Sequence, residues 1–80
     1  MPVTVSERSA TLTGVVSVED AEPLARWLRA TPRGAVRMGA CTHLHTAALQ
    51  VLLAARPRVA VPPTDPFLAR WVVPLLTEEV

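Results

Sequence analysis

The most apolar stretch of the chain runs from residue 44 to residue 55. Its length and composition predict an α-helix, and Gln50 and two polar residues near its start are all that interrupt its apolar surface. A helix that is apolar nearly all round is normally buried on all sides. A protein of 80 residues, however, leaves much of every element at its surface. The pattern therefore indicates that one side of this helix contacts a partner.

Two short runs near the N-terminus are rich in β-branched residues. They are residues 3–5 and 11–13, and the polar residues 6–9 separate them. Such runs predict two strands joined by a tight connection, with Gly14 ending the second strand.

A helix is predicted after this hairpin, and its start has two interpretations. Ser17 and Asp20 have the spacing of a capping box, whereas Asp20 acting as the N-cap would start the helix one turn later and place Pro23 in its first turn. Apolar residues then recur at helical spacing, at Ala21, Leu24, Ala25 and Leu28. The Thr-Pro-Arg-Gly sequence of residues 31–34 ends the helix.

The second half of the chain alternates predicted strands and helices. Residues 35–40 and 58–61 predict strands on either side of the apolar helix. Asp65 and Pro66 form an N-cap and first-position pair for a last helix, and Pro74 is expected to fray or kink the final turn. The apolar residues of that helix form one predicted core-facing stripe, which consists of Phe67, Leu68, Trp71, Val72, Leu75 and Leu76.

The predicted order of elements is β-β-α-β-α-β-α in a single domain that spans residues 1–80. Alternation of strand and helix after a hairpin favours right-handed crossovers and parallel neighbours, and hence an α/β fold with a small mixed sheet. Residues 77–80 are expected to form a loose tail, because Glu78 and Glu79 oppose the dipole of the last helix.

The two tryptophans receive different interpretations. Trp71 lies on the apolar stripe of the last helix, which predicts a core position whose truncation would unfold so small a domain. Trp27 lies one position from the line through Leu24 and Leu28, which places it at the edge of the core or in contact with a partner.

The composition indicates a folded protein and argues against several classes of function. Half of the residues are hydrophobic, 19% are charged and the formal net charge is +1, which argues against disorder and against nucleic-acid binding. No run approaches the roughly 18 apolar residues of a membrane span, and residues 1–10 lack the pattern of a signal peptide. A cytoplasmic protein without membrane insertion is expected, and the lone Cys41 agrees with a reducing compartment.

Cys41, His43 and His45 alternate, so on an extended segment they would point to one side. The spacing suggests a zinc site, but a structural site needs four ligands and the chain has no further Cys or His. A Cys–His nucleophilic pair would need an oxyanion-hole loop and an orienting acid, which the neighbouring sequence lacks. We therefore predict no metal, no cofactor and no catalytic residue, and interpret the protein as non-enzymatic.

The order of elements and three local motifs resemble a STAS domain, the fold of the anti-sigma-factor antagonists. The motifs are a hairpin ending in Leu-x-Gly, an Asp-Ala-x-x-Leu helix and the run from residue 45 to residue 53, and the resemblance covers residues 3–76. In that family an Asp-Ser-x-Gly-Leu segment opens the next helix, and a partner kinase phosphorylates its Ser or Thr. The corresponding residues here are His45, Thr46, Ala47 and Ala48, which retain the hydroxyl but replace the acid and the glycine.

The resemblance implies that Thr46 is the candidate regulatory phosphosite. A phosphate there would meet unpaired helix N–H groups and the helix dipole, and would place negative charge beside an apolar surface that a partner covers. The alternative is that Thr46 only caps the helix. The predicted partner-binding residues are His45, Thr46, Ala47, Leu49, Gln50 and Leu53.

Two functions are compatible with these observations. The first is a STAS-type regulator in bacterial signalling, anti-sigma-factor-antagonist-like or chemotaxis-associated, which binds an anti-sigma factor, a switch kinase or another signalling protein, with a homodimer left open. The second is a constitutive STAS scaffold subunit of a larger assembly, such as a lipid-transporting ABC system.

Overall fold

A computed structural model of the protein describes residues 2–77. The strands and helices are, in chain order, β1 (Val3–Val5), β2 (Ser9–Val16), α1 (Val18–Ala30), β3 (Ala35–Leu44), α2 (Thr46–Ala55), β4 (Arg58–Val61), a π-helical segment (Leu68–Val72) and α3 (Val73–Thr77). The π-helical segment and α3 are continuous with each other and with a helical start at residues 66 and 67, and together they are called the last helix. The predicted α/β class, with a small mixed sheet and three helical regions, is confirmed.

The four strands lie side by side in the order β1-β2-β3-β4. β1 is antiparallel to β2, and β2, β3 and β4 are parallel to one another. Each parallel pair is joined by a helix, and right-handed crossovers between strands in sequential order place α1 and α2 on the same face of the sheet. The sheet therefore has one face under the helices and one face without them.

The burial pattern across the strands distinguishes the two faces. Ala10 and Val36 are paired neighbours on β2 and β3, and both are completely buried. The next row pairs Thr11 with Arg37, and the arginine is exposed. Side chains of successive residues point to opposite faces of a sheet, so apolar residues alternate with polar ones along these strands. The core lies between the apolar face and the two helices.

The strands β2 and β3 are both longer than their sequence patterns predict. β2 continues through Gly14, which has a positive φ of 61°, and the pairing with β3 shifts register immediately after this residue. Glycine adopts this left-handed conformation without strain, so β2 continues past it and the prediction that Gly14 ends the strand is wrong. β3 likewise continues to Leu44, and α2 therefore begins at Thr46.

Helix α1 begins with the capping box that the sequence suggests. The backbone N–H of Ser17 donates a hydrogen bond of 2.8 Å to the Asp20 carboxylate, so Ser17 is the N-cap and the alternative start at Asp20 is wrong. Pro23 consequently lies inside the helix. Three of the four predicted inward-facing residues are buried, namely Ala21, Leu24 and Leu28.

The last helix buries three of the six residues predicted to face the core. Leu68, Val72 and Leu76 are buried against the core. Three neighbouring residues are instead exposed, with exposed fractions of 65% for Phe67, 57% for Trp71 and 46% for Leu75. The prediction that Trp71 is a core residue is wrong, because a helix packed at the edge of a small domain has protein on one side only. The Arg70 guanidinium carbon lies 5.0 Å from the centroid of the Trp71 ring.

The last helix is capped as predicted and contains a wide turn. The Leu68 N–H donates to the Asp65 carboxylate over 3.1 Å, which confirms the N-cap. The Val73 N–H then bonds the Leu68 carbonyl, five residues earlier, immediately before Pro74. A proline cannot donate to the usual carbonyl and its ring crowds that oxygen, so the wide turn accommodates it. Thr77 is the last residue of α3, so the prediction that the loose tail includes residue 77 is wrong, and residues 78–80 of that tail lie outside the described residues.

Within residues 2–77, no helix has the length and apolar character that crossing a lipid bilayer would require.

The burial difference along the last helix predicts a contrast between two alanine variants. Leu68→Ala should lower the free energy of unfolding by about 2–5 kcal/mol, because it leaves a cavity in the core. Trp71→Ala should lower it by about 1 kcal/mol or less, since it removes a mostly exposed ring and one cation–π contact. Urea unfolding followed by circular dichroism measures both. Equal destabilisation by the two variants would contradict the exposure of Trp71.

Candidate functional site

The N-terminus of α2 lies at the carboxyl edge of the parallel strands. β3 ends at Leu44, and the backbone N–H of His45 donates to the Val16 carbonyl at the end of β2 over 2.9 Å. This bond fixes the start of α2 beside the end of the neighbouring strand. The side chains of His45 and Thr46 are both exposed there.

His45, and not Thr46, caps helix α2. The His45 backbone is extended, with φ of −61° and ψ of 148°, and its imidazole Nδ1 accepts a 3.0 Å hydrogen bond from the Ala47 N–H. The hypothesis that Thr46 is the cap is wrong, because the preceding residue already occupies the N-cap position. Thr46 is the first helical residue, and its exposed hydroxyl lies beside the positive end of the helix dipole. The bond to Ala47 requires Nδ1 to be unprotonated.

Helix α2 leaves part of its apolar surface exposed. Only Ala48 and Leu52 are completely buried. Of the predicted partner-binding residues, His45, Thr46 and Gln50 are exposed, and Ala47, Leu49 and Leu53 are partly buried against the core. The helix contains no charged residue between Thr46 and Ala55. The predicted residues therefore form a surface without Asp, Glu, Lys or Arg, in which three exposed polar residues lie beside three partly buried apolar ones.

A groove of about 590 Å³ separates this surface from α1. The residues that α2 contributes to it are Ala47, Gln50, Val51, Ala54 and Ala55. Leu28 and Arg29 of α1 lie opposite, and the α1–β3 loop closes one end. The groove is not predictable from the sequence, since small residues on a helix give no signal until the position of the neighbouring helix is known.

The alternation of Cys41, His43 and His45 does not bring their side chains together. Gly14 pairs with Cys41 but the next residue, Val15, pairs with His43, so β3 contains one extra residue between them. A bulge reverses the direction of the side chains that follow it. Cys41 is buried and both histidines are exposed. Within residues 2–77, no three His, Cys, Asp or Glu side chains are grouped where they could hold a metal ion.

The environment of Cys41 disfavours its thiolate. Burial raises the pKa of the Cys41 thiol above its ordinary value of 9.0, and the negative charge of Asp65 adds to this effect. The thiol lies 3.6 Å from the His43 carbonyl, to which it donates. Because the thiolate is the reactive form of cysteine, this environment is that of an inert core residue.

Trp27 lies at the edge of the core, as one interpretation of the sequence predicts. Its ring is partly buried, and its indole N–H donates to the Ser6 carbonyl over 3.3 Å. The ring also packs on Gly34, where an added Cβ atom would come within 2.5 Å of it. Trp27 therefore joins α1 to two loops.

Loss of the His45 cap should destabilise α2. His45→Ala should lower the free energy of unfolding by about 1 kcal/mol, because the Ala47 N–H loses its acceptor. His45→Asp should restore that stability, since a carboxylate accepts the same bond and also interacts favourably with the helix dipole. Urea unfolding at pH 7 tests the series. An alanine variant as stable as the original protein would show that the imidazole bond contributes nothing.

Raising the pH should destabilise the protein through Cys41. The pKa of this thiol is higher in the folded chain than in the unfolded one, so its contribution to stability is present below the ordinary value of 9.0 and is lost as pH rises through the folded pKa. The chain has no Lys and no Tyr, which leaves few other groups to titrate in this range. The unfolding free energy measured from pH 8.5 to 10.5 should fall, and Cys41→Ala should remove most of that slope. A slope unchanged in the variant would refute the assignment to Cys41.

No family model, no curated protein and no solved structure matches this chain, so its function has to be argued from the site itself.

Proposed function

We propose that this protein is a non-enzymatic, STAS-type regulatory module that binds another protein through α2. The observation that carries the proposal is that α2 has no charged residue along its length while only two of its residues, Ala48 and Leu52, are buried. Exposed helix surfaces are normally polar or charged. An uncharged exposed surface with apolar residues on both flanks has the character of a protein-binding site.

The N-terminus of α2 supports the STAS-type assignment. The family has an acid at the position of His45, where a side chain is needed to accept a bond from the helix N–H groups. His45 supplies that acceptor through Nδ1, so the departure from the family's residue preserves the capping interaction. Ala48 occupies the position of the family's glycine and is completely buried, so its methyl group packs in the core.

Thr46 is suited to act as a switch within this interface. Its side chain is exposed at a helix N-terminus, where backbone N–H groups and the dipole favour an anion. Phosphorylation would place about two negative charges beside an otherwise uncharged apolar surface. A partner that covers α2 would then have to desolvate those charges, so its affinity would fall. The partner class that fits is a signalling protein such as an anti-sigma factor or a switch kinase.

A constitutive scaffold is the second candidate, and the His45 cap favours it. The Ala47 N–H already bonds the imidazole, so one of the donors that would hold a phosphate is engaged. A subunit that supports a larger assembly, as in the lipid-transporting ABC example, needs the apolar surface of α2 but no switch.

Binding measurements on α2 variants test the proposal. A partner captured from a lysate of the source organism and identified by mass spectrometry would be purified, and its Kd measured. Thr46→Glu and Gln50→Glu should each weaken binding at least tenfold, or about 1.4 kcal/mol, because each places a charge in the interface. Thr46→Ala should bind as well as the original protein or better.

Thr4→Glu is the matched control, because Thr4 is an exposed residue on the edge strand β1. It makes the same chemical change away from α2 and should leave the Kd unchanged. Equal weakening by Thr4→Glu would refute the assignment of the interface to α2, as would full binding by Gln50→Glu. Weakening by Gln50→Glu without any effect of Thr46→Glu would select the constitutive scaffold.

A further inference from the structure

Three arginines line one cavity at the amino-terminal edge of the parallel strands. Arg8, Arg33 and Arg58, together with Thr31, surround a volume of about 410 Å³. No Asp or Glu lines it. Among residues 2–77, Glu22 forms an ion pair with Arg26. No carboxylate in that range pairs with any of the three cavity arginines. The cavity therefore concentrates positive charge in a protein whose formal net charge is only +1.

The parallel topology brings these arginines together from distant parts of the sequence. Ser9, Ala35 and Arg58 lie side by side at the starts of β2, β3 and β4. Arg8 immediately precedes β2, and Arg33 lies two residues before β3. Adjacent strands are about 4.8 Å apart, so long side chains at this edge reach the same space. The Ala35 N–H donates to the Arg8 carbonyl over 3.0 Å, which holds Arg8 at the start of the neighbouring strand.

Trp27 fixes the two loops that carry Arg8 and Arg33. Its indole N–H bonds Ser6 in the β1–β2 loop, and its ring packs on Gly34 in the α1–β3 loop. The Gly34 N–H donates to the Thr31 carbonyl over 2.9 Å, which forms the tight turn that carries Thr31 and Arg33. Arg8 and Thr31 thus accept backbone hydrogen bonds, Arg33 lies within the turn that begins at Thr31, and Arg58 is the first residue of β4. The site is built on ordered structure.

The chemistry of the cavity suits phosphate groups. Guanidinium groups present several N–H donors in a plane and bind phosphate oxygens in pairs, and a threonine hydroxyl can donate as well. Like charges around one cavity repel one another, so a bound anion stabilises their arrangement. A single phosphate cannot neutralise three guanidinium groups, whereas two linked phosphates can. The volume lies within the range of small-molecule sites.

We propose that Arg8, Arg33, Arg58 and Thr31 form a binding site for a small molecule that carries two or more linked phosphate groups. The site lies at the opposite end of β3 from the N-terminus of α2, and it is independent of the protein-binding function proposed above. An extended nucleic acid fits less well, because the arginines surround one cavity and α2 offers no charge to continue a track along the surface.

Titration with inorganic pyrophosphate tests this site. In a phosphate-free buffer with 150 mM NaCl, isothermal calorimetry should give a Kd below about 1 mM. Amide resonances of Thr31, Arg33 and Gly34 should shift during the titration, whereas those of α2 near Thr46 should not. Arg8→Gln, Arg33→Gln and Arg58→Gln should each weaken binding about fivefold or more, and the triple variant should not bind.

Arg26→Gln is the matched control, because it removes the same charge from an exposed arginine that pairs with Glu22. It should leave the Kd unchanged, and circular dichroism should confirm that every variant is folded. The proposal fails if pyrophosphate does not bind at 10 mM, if Arg26→Gln weakens binding as much as the cavity variants, or if the cavity variants bind normally. It also fails if a single-stranded oligonucleotide binds through the same arginines more tightly than pyrophosphate. Thr46→Glu should not affect this titration, so the result is separate from that of the proposed protein interface.

Discussion

The packing of α1 and α2 on one face of the sheet supports every other feature of this structure. Its centre consists of the completely buried Leu12, Leu24, Met38 and Leu52, which come from two strands and two helices. Burial of side chains of this size contributes about 1.5–3 kcal/mol each, which is large compared with the net stability of a small domain. The strand order follows, because only sequential parallel strands place both connecting helices over the same face.

A core on one side leaves apolar surface that a chain of this length cannot cover. The last helix therefore buries some of its apolar residues and exposes others, with Leu68 buried and Trp71 exposed. In α2 the same limit leaves Thr46, Gln50 and Ala54 exposed, with no charged residue along the helix. A larger domain would bury such surfaces beneath another layer. Here they stay exposed, and the uncharged character of α2 distinguishes it from α1, where Arg26 and Glu22 form an ion pair.

The two edges of the parallel strands have different chemistry. At the carboxyl edge, α2 begins with an imidazole cap and an exposed hydroxyl, which is the site of the proposed interface and switch. At the amino edge, three strands begin beside arginines that have no carboxylate among the cavity residues. The ten residues of β3 separate these edges, so a ligand at one edge can bind without contacting a partner at the other. Trp27 belongs to the amino edge, where it holds two loops in place.

The sequence by itself determined the class of the fold and most of its elements. Hydrophobic periodicity located α1, and length and composition indicated the apolar helix. Capping residues marked the start of the last helix at Asp65 and limited the start of α1 to Ser17 or Asp20, because these signals depend on neighbours within a few positions. It also identified α2 as the most unusual surface, since the absence of charge is visible in the residue types alone.

The tertiary structure decided what depends on residues far apart in the chain. The bulge opposite Gly14 separated Cys41 from His43, and the position of the last helix at the sheet edge exposed Trp71. His45 caps the helix instead of Thr46, because its Nδ1 accepts a hydrogen bond from the Ala47 N–H. The arginine cavity joins residues up to fifty positions apart, from Arg8 to Arg58. Local periodicity carries no information about such contacts, because strand register and helix placement are set by the packing of the whole domain.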